Sequence, residues 1–283
     1  MAIITISRGS FSHGKEIAEK VAAKLGYECI SREVLIEASK FFDVPELKLT
    51  KSIHDAPSIL ERITHGRERY LLYIKAALLE HVKNDNVVYH GHAGHLLIPE
   101  FPNVLKVRII ADLESRVAFM QQQEGISKDE ALKRIKADDR QRVLWTRYLY
   151  NREINNPMLY DMIIRIDRLG IDEACDLICT AAESEQFRVD EKVLQNLADL
   201  ALRTHVEAAL FGLCEAEVTV SKGVVQLKVE AGKIRKTGAS RLEVQEKVKE
   251  RIMKDIFKEV LNIVGSIPGV KEVHCDVHPP DYS

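Results

Sequence analysis

Apolar and polar positions follow two different rhythms along this chain. Up to about residue 183, short β-branched runs alternate with stretches in which apolar side chains recur every three or four positions. That alternation predicts a parallel sheet flanked by helices. Ile3, Ile4 and Ile6 read as a first strand. Ile17, Ala18, Val21, Ala22 and Leu25 share one face of a helix over 14–25, which Gly26 stops. A short strand at 27–30 and a helix at 32–42 follow. The stretch 43–66, punctuated by Pro45 and Pro57, is less regular and precedes a long helix over 67–84. Further strands are expected at 87–89, 104–110 and 162–166. Between the last two lie a helix opened by Asp112 and another opened by the capping box Ser127-x-x-Glu130.

The rhythm changes after a polar segment at 183–192 that carries no convincing period, and the domain boundary is placed there. A helix at 193–211 leads to Val218 and Val220, then Lys222-Gly223, then Val225, Leu227 and Val229, which is a hairpin signal. A helix over 242–264 carries an apolar seam through Val244, Val248, Ile252, Ile256, Val260 and Val264. Pro268-Gly269 stops it before a last strand at 270–277. The expected organisation is an α/β domain at 1–183, a linker at 184–194 and a small α-β-β-α-β domain at 195–283.

Composition narrows the function classes. With 46% hydrophobic and 30% charged residues in 283, the chain has ample material for one or two cores, and a formal charge of −2 supplies no global attraction to nucleic acid or acidic lipid. Cys29, Cys175, Cys179, Cys214 and Cys275 are odd in number and form no CxxC pair, which suits reduced thiols and a cytoplasmic protein. No run approaches a transmembrane span, and the start of the chain lacks a signal pattern. Cys175 and Cys179 read as semi-buried thiols. The His90-x-His92-x-x-His95 cluster reads as strand-end and pocket histidines, because a zinc site needs a further ligand and a second shell. No metal site is expected from either group.

The strongest chemical signal is Gly9-Ser10-Phe11-Ser12-His13-Gly14-Lys15, which satisfies G-x-x-x-x-G-K between the first strand and the first helix. Backbone N–H groups and the positive helix end converge there on an anion, while the lysine reaches the outer phosphates. Ser10, Ser12, His13, Gly14, Lys15, Glu16 and Ile17 are the expected phosphate-binding stretch. Glu16 stands where a Ser or Thr normally holds magnesium, and an acidic residue in a first helical turn also has a purely structural role.

Residues 1–183 resemble the cytidylate kinase-like proteins among the nucleoside monophosphate kinases. The matching phrases are Ile4-Thr5-Ile6-Ser7-Arg8 with Gly14-Lys15-Glu16-Ile17-Ala18, then Ser31-Arg32-Glu33, VRIIADLESR at 107–116, Asp139 with Arg142, and Tyr160-Asp161-Met162-Ile163-Ile164 with RLGIDEA at 168–174. The resemblance implies a three-layer phosphate-loop kinase fold and transfer of a phosphoryl group from ATP, with Mg2+, to a nucleoside monophosphate such as CMP or dCMP. It further implies that Lys15, Arg116 and Arg142 are catalytic, that Arg8, Arg32 and His92 face the acceptor, and that Asp139, Arg140 and Arg142 belong to a lid. The family usually has glycines where this chain has Phe11 and His13, an aspartate at Ser31, and arginines at His92 and Phe119. Those departures support an alternative, a nucleotide-sensing or regulatory protein that keeps the fold. A kinase for another small phosphorylated or hydroxylated acceptor is a third reading.

Residues 195–283 resemble the BON domain, through 202–210, the strand-turn-strand phrase at 217–227, and Ile267-Pro268-Gly269-Val270-Lys271-Glu272-Val273. The resemblance implies binding rather than catalysis. Lys233, Arg235, Lys236 and Arg241 offer a contact for an anionic surface or protein partner, with a solvated loop as the simpler reading. Met253, Phe257 and Leu261 widen the helix seam and point to self-association.

Overall fold

The structure is a computed structural model and describes residues 2–31, 34, 37, 38, 40, 66–91, 93–231 and 242–279. Most of the helix expected at 32–42, the stretch 43–65, Arg32, His92 and the basic cluster Lys233, Arg235, Lys236 and Arg241 lie outside the described residues. The chain divides into two compact units, Met1–Leu194 and Gln195–Ser283.

In the first unit, strand β1 (Ile3–Arg8) leads to helix α1 (Gly14–Leu25) and strand β2 (Glu28–Ile30). Helix α2 (Gly66–Val82), strand β3 (Val87–His90) and the short helix α3 (Gly94–Leu97) follow, then strand β4 (Val104–Ile110). Helices α4 (Leu113–Glu124) and α5 (Lys128–Tyr150) precede strand β5 (Met162–Arg165), helix α6 (Ile166–Leu169) and helix α7 (Ile171–Ala182). The sheet order is β2-β3-β1-β4-β5, with every pairing parallel. This is a phosphate-loop kinase fold with β1 at its centre.

A parallel sheet buried on both faces needs strands that are apolar almost throughout, and β1 obliges: its first five residues are buried. Helix α1 lays Ile17, Ala18 and Val21 onto the sheet, fully buried, each larger side chain contributing about 1.5–3 kcal/mol of burial. It ends at Gly26, whose φ of 68° and N–H bonded to Ala22 O form the left-handed stop. Helix α7 packs beside it, tied by Lys20 Nζ to Asp172 Oδ1 at 3.0 Å. The Asp112 carboxylate caps α4 by accepting from the Ser115 N–H, and Ser127 Oγ caps α5 by accepting from the Glu130 N–H.

Two details depart from the sequence reading. The strand expected to reach Ile166 ends at Arg165, because Arg165 turns back to pair with Asp167 at 2.6 Å and the chain enters α6. The segment read as linker contains the start of helix α8 (Glu191–Leu210), which Asp190 caps by accepting from the Val193 N–H.

In the second unit, β6 (Glu215–Ser221) and β7 (Val224–Glu230) form an antiparallel hairpin. Its turn residues Lys222 and Gly223 have φ of 52° and 85°, the mirror-image turn that matches strand twist. Helix α9 (Leu242–Gly265) then crosses over to β8 (Glu272–His278), parallel to β7, giving the order β6-β7-β8. Val260 and Val264 of α9 meet Val225, Leu227 and Val229 of the sheet and Val206 of α8 in a separate core. Val248 and Phe257 on α9 stay exposed. Among the described residues, no helix is long and apolar enough to cross a membrane.

Candidate active site

The central strand delivers the chain to the carboxyl edge of the sheet, where open α/β folds bind ligands. The turn that follows is tightly built. Ser12 Oγ, fully buried, donates to the Gly9 carbonyl at 2.9 Å and closes the loop on itself. A Cβ at Gly14 would lie 2.5 Å from Arg8 Cδ, so only glycine allows helix and strand to approach this closely. The Ile17 N–H bonds back to the His13 carbonyl, so α1 begins with its free N–H groups at the loop. Ser10 Oγ is buried with no hydrogen-bond partner among the described residues.

Phe11 and His13 adopt left-handed backbone angles, φ 55° and 54°. Phe119 of α4 lies against both. Its ring stacks on His13 with centroids 3.7 Å apart and meets Phe11 edge-on at 6.2 Å. One turn earlier on α4, buried Arg116 donates from Nε to the Ser10 carbonyl at 2.7 Å and grips both Asp139 oxygens at 2.8 Å. Its guanidinium carbon would sit 3.3 Å from a Cβ at Gly9.

Beside Gly9, Arg8, Arg108, Arg116, Asp139 and Arg142 line a cavity of about 170 Å3. Arg108 is oriented by Tyr160 Oη at 3.0 Å and Asn155 Oδ1 at 2.8 Å, both accepting from it. Tyr160 Oη in turn donates to the Ile154 carbonyl. Among the described residues, neither Arg8 nor Arg142 has a side-chain hydrogen bond or an ion pair. Burial, and then the charge of Arg142, push the Arg8 guanidinium down to about 10. Burial also lowers Arg142, against the longer-range pull of Asp138 and Asp139. Two guanidinium groups held close and half-buried, neither with an ion pair among the described residues, leave a hole for an anion.

The other expected residues take different positions. Lys15 is 65% exposed, its ammonium 3.7 Å from Glu19 Oε1. Glu16 is engaged, accepting from His13 Nδ1 at 3.0 Å and lying 3.5 Å from Lys20 Nζ. Arg140 is exposed on α5. The structure thus brings together Arg8, Ser10, Ser12, His13, Gly14, Arg116, Asp139 and Arg142, and leaves Lys15 and Arg140 facing solvent. Sequence reasoning missed Arg108, Asn155 and Tyr160. An arginine in the carboxyl half of an otherwise buried parallel strand was the available signal for Arg108.

No group of acidic, histidine or cysteine side chains suited to a metal ion occurs among the described residues. His95 is buried, both ring nitrogens without hydrogen-bond partners among the described residues, and its ring lies 4.6 Å from that of Tyr160. Cys175 is buried against the Ile17 carbonyl, and burial raises its thiol.

A model of the cytidylate kinase-like family matches residues 3–168. The chain belongs to the cytidylate kinase-like family. The family match stops short of the second unit. The cytidylate kinase of Ignicoccus hospitalis is 26% identical over 181 residues, covering 63% of this chain and 97% of that protein. The cytidylate kinase of Archaeoglobus fulgidus is 28% identical over 194 residues, covering 67% of this chain and 99% of that one. Among solved structures, an uncharacterized protein from Eubacterium ventriosum shares the fold with a TM-score of 0.51 at 21% identity, over 65% of this chain and all of that chain. This member of the cytidylate kinase-like family therefore keeps the family's frame, with an aromatic group built into its phosphate loop.

Proposed function

We propose that the first unit transfers the γ-phosphoryl group of ATP to a nucleoside monophosphate, a pyrimidine one such as CMP or dCMP. The observation that carries this reading is the pair Arg8 and Arg142 beside Gly9, neither with an ion pair among the described residues. Phosphoryl transfer needs in-line positioning and cations around the equatorial oxygens more than it needs a covalent participant. In the reaction the bond from γ-phosphorus to the bridging oxygen breaks, an acceptor phosphate oxygen forms the new bond, and ADP leaves with the nucleoside diphosphate.

The loop is suited to the donor phosphates. Its backbone N–H groups and the end of α1 supply positive potential, and the buried Ser10 hydroxyl, without a hydrogen-bond partner among the described residues, has a donor to offer. Lys15 gives up only an exposed ion pair to reach them, a contact worth about 0–1 kcal/mol. Arg142 faces the transferring group, with Arg8 and Arg108 on the acceptor side. Magnesium arriving with ATP would supply neutralisation of the phosphate charge. Glu16, tied to His13 and near Lys20, does not offer it a ready ligand.

The test is incubation with ATP, magnesium and a panel of nucleoside monophosphates. ADP and CDP should form with CMP. No product with any member of the panel overturns the reading. A second reading, a nucleotide sensor that keeps the fold, is favoured by the Arg116–Asp139 pairing, which engages a cation the family places on phosphate. ATP binding in a calorimeter without turnover would support it. For the second unit, the α-β-β-α-β order supports a BON-like binding module, checked by whether a chain ending at 194 keeps full turnover.

A further inference from the structure

We propose that Phe119 is a positioning residue for the phosphate loop, holding Phe11 and His13 in backbone conformations that such a loop ordinarily takes from glycine. The inference rests on the reading of the loop as a phosphate site.

Left-handed φ is easy for glycine and strained for side-chain-bearing residues, most of all bulky ones. Phe11 and His13 both adopt it, two residues apart, at φ 55° and 54°. Strain of this kind persists only where surroundings over-determine it. Here the surroundings are α4. The Phe119 ring covers the His13 ring at 3.7 Å with 27° between planes, and the Phe11 ring packs edge-on at 68°. The His13 ring is fixed on its other side by Nδ1 to Glu16 Oε2, 3.0 Å. Phe11 also packs against the buried cluster of Val117, Met120, Ala131 and Ile135, which joins α4 to α5. Three residues before Phe119, Arg116 holds the Ser10 carbonyl.

One helix face thus touches the loop at Gly9, Ser10, Phe11 and His13. The geometry has a consequence for binding. Loop N–H groups converge on an anion only while successive residues keep this alternation of backbone angles. If Phe11 or His13 relaxed to negative φ, its neighbouring amide would turn away from the cradle. Aromatic packing from α4 does in this chain what the absence of a side chain does elsewhere.

The test compares wild type, Phe119→Ala, and Phe119→Ala combined with Phe11→Gly and His13→Gly, using crystal structures and ATP titration by calorimetry. Phe119→Ala should lose positive φ at residue 11 or 13 and bind ATP about tenfold more weakly. The two glycines should restore binding to within about twofold of wild type, a rescue that a general packing role would not give. Positive φ retained at both positions in Phe119→Ala, or no rescue by the glycines, overturns the proposal. Where Phe119→Ala fails to fold, Phe119→Leu keeps the bulk, removes the stack and is held to the same outcomes. Wild type that binds no ATP sinks the kinase reading instead, and the φ comparison then decides this inference by itself.

Discussion

Arg116 and Asp139 close on each other through two N–H···O bonds of 2.8 Å, and the same guanidinium donates from Nε to the Ser10 carbonyl at 2.7 Å. The family resemblance implies a catalytic role for Arg116. The geometry gives it a structural task as well: it braces the phosphate loop against α5 through a residue 23 positions further along the chain.

Asp139→Asn should therefore weaken both stability and the donor site. Removing the charge leaves Arg116, 9% exposed, without its partner. Asp139 is 38% exposed, so solvent offsets part of the loss and the destabilisation is expected at about 2 kcal/mol. Urea unfolding checks it. ATP affinity should fall in the same variant, since the Ser10 carbonyl loses a fixed donor.

Arg8 and Arg142 lead to the opposite expectation for stability. Arg8, lowered from its ordinary value to about 10, is held charged in the folded chain against burial and a like charge. Between those two values the unfolded chain binds more protons, so this group's contribution to stability rises as pH climbs through about 10. At neutral pH its charge destabilises the empty site, and Arg142→Met should leave the melting temperature unchanged or higher. Inorganic pyrophosphate should raise the melting temperature of wild type and do so much less in the variant. A variant that melts lower while keeping the full pyrophosphate shift would contradict this.

His95 gives a second pH dependence. Burial, and then the charges of Arg108 and Lys106, push its imidazole down to about 3 from 6.5. Between those values the unfolded chain takes up a proton that the folded chain refuses, so stability falls as pH drops through the window. His95→Phe keeps a ring against Tyr160 and leaves no unpartnered nitrogen. It should be more stable than wild type near pH 5, by about 2 kcal/mol, and the gap should shrink toward pH 7. Parallel acid-unfolding curves for the two proteins would exclude the effect.

Asp112 has the same sign for a different reason: here the charged form is the one the fold stabilises. Hydrogen bonds from the Ser115 N–H and hydroxyl, both 2.8 Å, hold its carboxyl below the ordinary value. Its stabilising contribution is complete above the ordinary carboxylate range and fades as pH falls through the lowered value. Asp112→Asn should flatten the acid limb of the stability curve, measured by thermal melts across acid pH.

Local chemistry was legible in the sequence. The Gly26 stop, the Asp112 and Ser127 caps, and the Lys222-Gly223 turn each depend on residues within one turn of each other. The order of the strands and of helices α1, α2, α4, α5, α8 and α9 followed from period, whereas α3, α6 and α7 were not read from it. The end of β5 was not legible, because the apolar run continues into Ile166 while an Arg165–Asp167 ion pair redirects the chain. The site divides the same way. The phosphate loop announced itself by spacing, whereas Arg8 meets Arg142 only because β1 and the helix after α4 converge on one cavity. Phe119 looked like the loss of a cation, and its contact with Phe11 and His13 required the fold to be seen.

Arg142, without an ion pair among the described residues, is the cation proposed to face the transferring phosphoryl group. The measurement that tests this role most directly is kcat/KM for CMP at saturating ATP and magnesium in wild type and Arg142→Met, with the ATP dissociation constant measured alongside. A fall of about 100-fold in kcat/KM, with ATP affinity within about threefold of wild type, is the expected result. Unchanged kcat/KM in the variant would contradict the account.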